Sequence, residues 1–179
     1  ADSWARTPSA FAMVRRVLIT GANKGIGFAV ADRCLRDHDD THVVLACRSR
    51  SRGDAAAAQL CSARPEWKER CMVLEMDTAS DASVRAAAAA LEAALGASPP
   101  PLYAIVNNAG IVAGSVSEVL NVNVRGPKRV DDAFVPLLDP RAGRIVQMSS
   151  GAASGCVSKS SEERRRFFVD PNVTWEQIG

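Results

Sequence analysis

Three glycines, Gly21, Gly25 and Gly27, stand between the apolar run Val17-Leu18-Ile19 and a second apolar stretch that begins at Ile26. Glycines in such a place have distinct uses. Gly21 permits a tight turn, Gly25 lets a ligand approach the backbone, and Gly27 lets a helix pack close to a strand. The helix that follows aims free N–H groups and the positive end of its dipole at whatever fills the turn, which favours phosphate. The chemistry that suits this spacing is the binding of a pyrophosphate-bearing nucleotide. A glycine-rich turn with no ligand has the same spacing. The flanking strand and helix, set in an alternating fold, favour the nucleotide.

Further polar residues stand where such a ligand would lie. Cys47-Arg48 follow the second apolar run, where an NAD enzyme usually places an acid for the ribose hydroxyls. Arg48, with Arg52 and Lys24, supplies positive charge there instead, and a guanidinium matches phosphate geometry. Solvated loop charge is the competing reading, since Arg50 lies in the same run. With the glycine turn, the arginines favour NADP(H) over NAD.

The elements that position these residues alternate along the chain. The apolar runs 17–19, 43–46, 72–74, 102–106 and 144–148 read as strands. The stretches 26–35, 51–63, 80–95 and 117–138 read as helices, with Gly96 and Pro99-Pro100-Pro101 ending the third. Short continuous apolar runs between helices mark strands buried on both faces, hence a parallel sheet. Right-handed crossovers then give a doubly wound α/β structure with helices on both faces. The 179 residues suffice for about one domain. A net charge of +2 argues against a nucleic-acid or membrane partner, and no apolar run approaches the roughly 18 residues of a membrane span. The five cysteines are odd in number and lack zinc-site spacing, so they read as free thiols in a reducing compartment. Cytoplasm and organelle (plastid or mitochondrion) both fit a soluble protein of this kind.

At this point the motifs resemble a family. Thr20-Gly21-Ala22-Asn23-Lys24-Gly25-Ile26-Gly27 is similar to the TGxxxGxG signature of the short-chain dehydrogenase/reductase superfamily, and Asn107-Asn108-Ala109-Gly110 to its NNAG motif. Asn123, in Asn123-Val124-Arg125-Gly126, resembles the active-site asparagine, and Ser149-Ser150 the active-site serine stretch. The monomeric carbonyl reductases fit best. The resemblance implies a Rossmann-type sheet in the order 3-2-1-4-5 and NADPH-dependent reduction of a small carbonyl substrate. It also implies that Asn23, Lys24, Ile26, Ala109 and Gly110 line the cofactor site. Ser150 would hold the carbonyl oxygen, and Asn123 would position a water in the proton relay. Asp77 would reach the adenine amino group, although a helix N-terminal acid explains it equally. Asn107 would pack near the adenosine and tie the fourth strand to its neighbours. Of the two nearby asparagines, Asn121 and Asn123, the Asn-x-x-Gly spacing selects Asn123.

The pattern then breaks. The family's proton donor is a tyrosine, with a lysine four residues later, downstream of the serine. The single tyrosine here, Tyr103, lies upstream in the fourth apolar run, and Lys159 has no tyrosine before it. Thr174-Trp175-Glu176-Gln177 has the form of a capping box, and Gly179 follows two residues later. The expectation is therefore a family chain that stops after the fifth strand. The connection from Gly110 to Asn123 also looks shorter than in the carbonyl reductases. Residues 1–13 read as an arm or targeting remnant, 14–151 as the dinucleotide-binding domain, and 152–179 as an irregular segment with a helix start. Glu162-Glu163-Arg164-Arg165-Arg166 reads as a solvated helix face. Two functions remain open: an NADPH-dependent carbonyl-reductase-like oxidoreductase, inactive as the chain stands, or a catalytically dead nucleotide-binding or structural subunit of a larger assembly. An unpaired fifth strand would call for cover on its edge, from a longer chain or from a protein partner.

Overall fold

The computed structural model describes residues 14–96 and 101–178. The arm expected over residues 1–13 lies outside the described residues. Five strands, β1 (Arg15–Thr20), β2 (Thr41–Cys47), β3 (Cys71–Glu75), β4 (Ala104–Asn107) and β5 (Arg144–Gln147), form one sheet in the order β3-β2-β1-β4-β5. This is the expected order. The β1–β2, β1–β4 and β2–β3 pairs are parallel, with Ile19 opposite both Leu45 and Val106.

Strand alternation divides the apolar runs between two faces. On one face Ile19, Val43, Leu45 and Val106 meet α1 (Gly25–Asp37) and α2 (Arg50–Ala63) through Ala31, Leu35 and Leu60. On the other, Leu18, Val44 and Ile105 meet α3 (Asp81–Leu95) and α5 (Gly126–Phe134) through Val84, Leu91, Val130 and Phe134. Full burial of Leu18, Ile19, Leu45 and Ile105 explains why these strands read as unbroken hydrophobic runs. Ser80 caps α3 by accepting a hydrogen bond from the Ser83 N–H, and Gly96 ends it at φ +78°. A 3-10 turn over Pro65–Arg70 buries Trp67. The Arg70 guanidinium there donates to the carbonyls of Leu35, His38 and Thr41, so the end of α1 is satisfied by a side chain rather than by water.

The helix expected over 117–138 is not continuous. It is built of α4 (Val116–Leu120), a π turn over Asn121–Arg125, α5 and a 3-10 turn over Val135–Leu137. The two prolines account for the breaks. Pro127 has no N–H to donate to Asn123 four residues back, and the wider π turn bridges the gap in the ladder. Pro136 does the same to the end of α5, which closes as a 3-10 turn.

The chain divides into two compact units, one ending at Val146 and the other spanning 147–179. The first therefore ends before the expected boundary at 151. The second, expected as an irregular segment with a helix start, is described with three helices. It holds α6 (Gly151–Ser158), α7 (Glu162–Val169) and α8 (Trp175–Ile178). Ser150 and Ser161 cap the first two, accepting from the N–H groups of Ala152 and Arg164. In α7, Glu162 pairs with Arg166 one turn later, as a solvated helix face requires. At α8 only the Gln177 half of the expected capping box forms, accepting from the Thr174 N–H at 2.8 Å.

Candidate cofactor site

The turn after β1 carries the first part of the site. Gly21 has φ +66° and Gly25 φ +58°, conformations that disfavour a side chain. A Cβ on Gly25 would meet nothing within 4 Å, so this glycine faces open space, as a surface for ligand approach must. A Cβ on Gly27 would lie 2.5 Å from Asn108 Nδ2 and 2.8 Å from the Gly21 carbonyl oxygen. Gly27 is thus where α1 passes against the chain ends of β1 and β4.

Those two ends are clasped together. Thr20 Oγ1 accepts from the backbone N–H groups of Asn108 at 3.0 Å and Ala109 at 2.9 Å. Asn108 Nδ2 donates back to the Thr20 carbonyl at 2.8 Å. Thr20 itself is buried, so these bonds replace water that it cannot reach.

A cleft of about 600 Å³ opens beside this clasp, in the range of ligand-sized pockets. Gly21, Asn23, Lys24, Gly25 and Ile26 line it from the glycine turn, Arg48 and Arg52 from the start of α2, Asp77 from the end of β3, and Ala109 and Gly110 from the end of β4. The structure therefore brings together ten of the residues singled out by sequence. Arg48 and Arg52 enter no ion pair among the described residues, whereas Arg50 is tied to Asp54 at 3.0 Å and does not line the cleft. The three arginines are thereby separated in role. Asp77 Oδ1 accepts from the Ala79 N–H at 3.0 Å, and since Ser80 is the cap of α3, Asp77 precedes that helix rather than standing in its first turn.

Of the two roles expected of Asn107, beside the adenosine and as a tie from the fourth strand to its neighbours, the structure describes the tie. Asn107 is buried and does not line the cleft. Its Nδ2 donates to Asp131 Oδ1 at 2.7 Å, tying β4 to α5. Successive strand residues face opposite ways, so Asn108, not Asn107, meets the glycine turn. Asn108 and Thr20 are the residues that sequence reasoning missed. Strand alternation was the available signal, but it needed the register of β4 against β1 to be used.

Asn123 sits in the π turn. Its amide accepts from the Ile111 N–H and donates to the Ile111 carbonyl, both at 2.8 Å, so it staples the segment after Gly110 to that turn. The Cβ position of Gly110 lies 3.4 Å from Asn123 Oδ1. Asn121 is engaged elsewhere, donating to the Ala79 carbonyl and accepting from Arg129. Ser150 belongs to the second unit, where its Oγ accepts from the Ala152 N–H at 3.2 Å. Among the described residues no cluster of His, Cys, Asp or Glu is arranged to hold a metal ion, and no helix is long and apolar enough to cross a membrane.

The sequence model of the family described as short chain dehydrogenase matches residues 15–161. The chain belongs to the short-chain dehydrogenase family. Among its relatives, dehydrogenase/reductase SDR family member 13 of Bos taurus is 39% identical over 144 residues, which are 77% of this chain and 36% of that protein. Carbonyl reductase [NADPH] 1 of Bos taurus is 33% identical over 171 residues, 90% of this chain and 58% of that one. This short-chain dehydrogenase thus spans 36% to 58% of the length of these two curated relatives. Among solved structures, menthone neomenthol reductase from Mentha piperita is similar with a TM-score of 0.78 and 25% identity, covering 92% of this chain and 70% of that one. NADPH-bound carbonyl reductase from chicken fatty liver is similar with a TM-score of 0.64 and 29% identity, over 78% of this chain and 60% of that one.

Proposed function

We propose that this chain supplies the NADP(H)-binding half of a short-chain dehydrogenase that acts on carbonyl compounds. The observation that carries the reading is the pair Arg48 and Arg52 on the cleft wall, where an NAD-preferring enzyme usually has an acid. The cradle fits the group. Gly25 leaves its side-chain space empty, and the glycine turn opens α1, whose first N–H groups are unpaired within the helix. Gly21, Asn23 and Gly25 would hold the pyrophosphate, and Arg48, Arg52 and Lys24 the 2′-phosphate. When bound, the cofactor supplies hydride to a carbonyl carbon. Asn123 holds the strand-end segment at Ile111, and Ser150 is the residue whose family counterpart orients the carbonyl oxygen. The NADPH-dependent carbonyl reductases among the relatives support this substrate class.

Titration calorimetry with NADP⁺ and NAD⁺ tests the proposal. The wild-type chain is expected to bind NADP⁺ more tightly. A charge-assisted contact of this kind is worth about 1.5–3 kcal/mol, so Arg48→Ala is expected to weaken NADP⁺ binding about tenfold to a hundredfold and to leave NAD⁺ binding nearly unchanged. Equal affinity of the wild type for both cofactors would overturn the assignment.

A second reading, a nucleotide-binding subunit without catalysis, is favoured by the tyrosine. Tyr103 stands immediately before β4, with the Arg15 guanidinium 5.5 Å from its ring centre, and its backbone N–H donates to the Arg16 carbonyl. It is a structural residue. The outer strand bears on this reading too. Every residue of β5 is exposed, with Ile145 and Val146 at 42% and 44%. Such an edge is a template for pairing, so cover for β5, from further chain or from a protein partner, is part of the proposal. Size-exclusion chromatography of the isolated chain is expected to show self-association, and a sharp monomer peak with a cooperative melt would contradict it.

A further inference from the structure

Gly53, Ala57 and Cys61 fall at successive four-residue steps along α2 and so share one side of the helix. That side lies against β3. A Cβ on Gly53 would come within 2.5 Å of Val73 Cγ1, and Ala57, Cys61, Cys71 and Val73 all pack on the same core cluster. Cys71 and Val73, two residues apart on β3, point to that face together. A crossover helix runs back along the sheet, so the last turn of α2 ends over the start of the next strand, which is Cys71. The two thiols accordingly face the same layer between α2 and β3, both packed against one core cluster. Both residues are half-buried and neither is in a disulfide.

We propose that Cys61 and Cys71 form a vicinal dithiol that small-molecule disulfides oxidise to an intramolecular disulfide, fastening the end of α2 to the start of β3. Burial first, and then the neighbouring Cys61, push the Cys71 thiol up to about 12, so Cys71 keeps its proton and is not the first nucleophile. Cys61 as thiolate attacks one sulfur of the small disulfide, and the first small thiol leaves. Cys71 then gives its proton to solvent and attacks the Cys61 sulfur of the mixed disulfide, and the second small thiol leaves. Two electrons pass to the small disulfide, which departs as two thiols.

The intact chain, kept native and exposed to oxidised glutathione, then alkylated and cut with trypsin, tests this by mass spectrometry. Cleavage after Arg52, Lys68, Arg70 and Arg85, with Arg64 protected by Pro65, puts the two cysteines on peptides 53–68 and 71–85. The expected product is these two peptides linked and lighter by two hydrogens. Cys71→Ser and Cys71→Ala are each expected to stop at a glutathione adduct on Cys61, and Cys34→Ser to link as the wild type does. The linked species is expected at least tenfold faster in the native chain than in denaturant. A persistent glutathione adduct on Cys61 in the wild type, modification confined to Cys156, or equal linking rates in native and unfolded chains would each overturn the proposal.

Discussion

Valine in place of Gly27 is expected to abolish nucleotide binding and to lower stability by about 3 kcal/mol, at the upper end of what overpacking costs. The Cβ alone would stand 2.5 Å from Asn108 Nδ2 and 2.8 Å from the Gly21 carbonyl oxygen. Neither atom is the free end of a flexible chain. Asn108 Nδ2 is held by the Thr20 carbonyl, and Gly21 donates its own N–H to the Ala46 carbonyl at 2.8 Å. The new side chain must therefore either break the clasp between β1 and β4 or push α1 away from the cleft, and both displace the groups that would hold the pyrophosphate. Gly25→Ala separates space from conformation. Its Cβ meets nothing, but φ +58° is a left-handed conformation, which costs a non-glycine residue about 1–2 kcal/mol. Denaturant midpoints and NADP⁺ calorimetry on the two variants are expected to rank Gly27→Val as the more damaging in both measurements. Wild-type binding by Gly27→Val would show that the close approach of α1 is not needed.

A polypeptide of these 179 residues, given NADPH and a quinone or activated aldehyde, is expected to turn over more slowly than about 1 s⁻¹, the low end of typical enzymes. A positioned general acid contributes about 10²–10⁴ in rate. No Tyr-x-x-x-Lys occurs among the 179 residues. Tyr103 does not substitute for it, because its backbone is bonded to Arg16 and Arg144 and its ring lies by Arg15. Each end of the Asn123 amide bonds the backbone of Ile111, and a serine hydroxyl has no pKa matched to proton donation near neutrality. NADPH consumption measured against a no-enzyme control checks this, and turnover at or above about 1 s⁻¹ would show that a group in this chain donates the proton.

The parallel sheet and the position of the glycine turn were legible in the sequence, because both depend on local pattern, whereas the strand order followed from the family resemblance. An unbroken apolar run such as Val43-Val44-Leu45-Ala46, set between helical stretches, suits a strand covered on both faces, and the positive φ at Gly21 and Gly25 suits glycine alone. The positive charge of the cleft was legible too, but not its distribution. Arg48 and Arg52 were singled out in the sequence, but Arg50 beside them left solvated loop charge as a competing reading, and the pairing of Arg50 with Asp54 on the turn of α2 is what separates it from the two that line the cleft. Asn107 and Asn108 are likewise adjacent and identical, and which of them meets the glycine turn depends on the register of β4 against β1. The π turn that carries Asn123 joins a local cause, Pro127, to a long-range one, the Ile111 backbone that the side chain grips. Cys61 and Cys71 are ten positions apart with nothing in their spacing to pair them. They meet because a right-handed crossover lays the end of α2 over the start of β3, a consequence of chain topology rather than of any local residue preference.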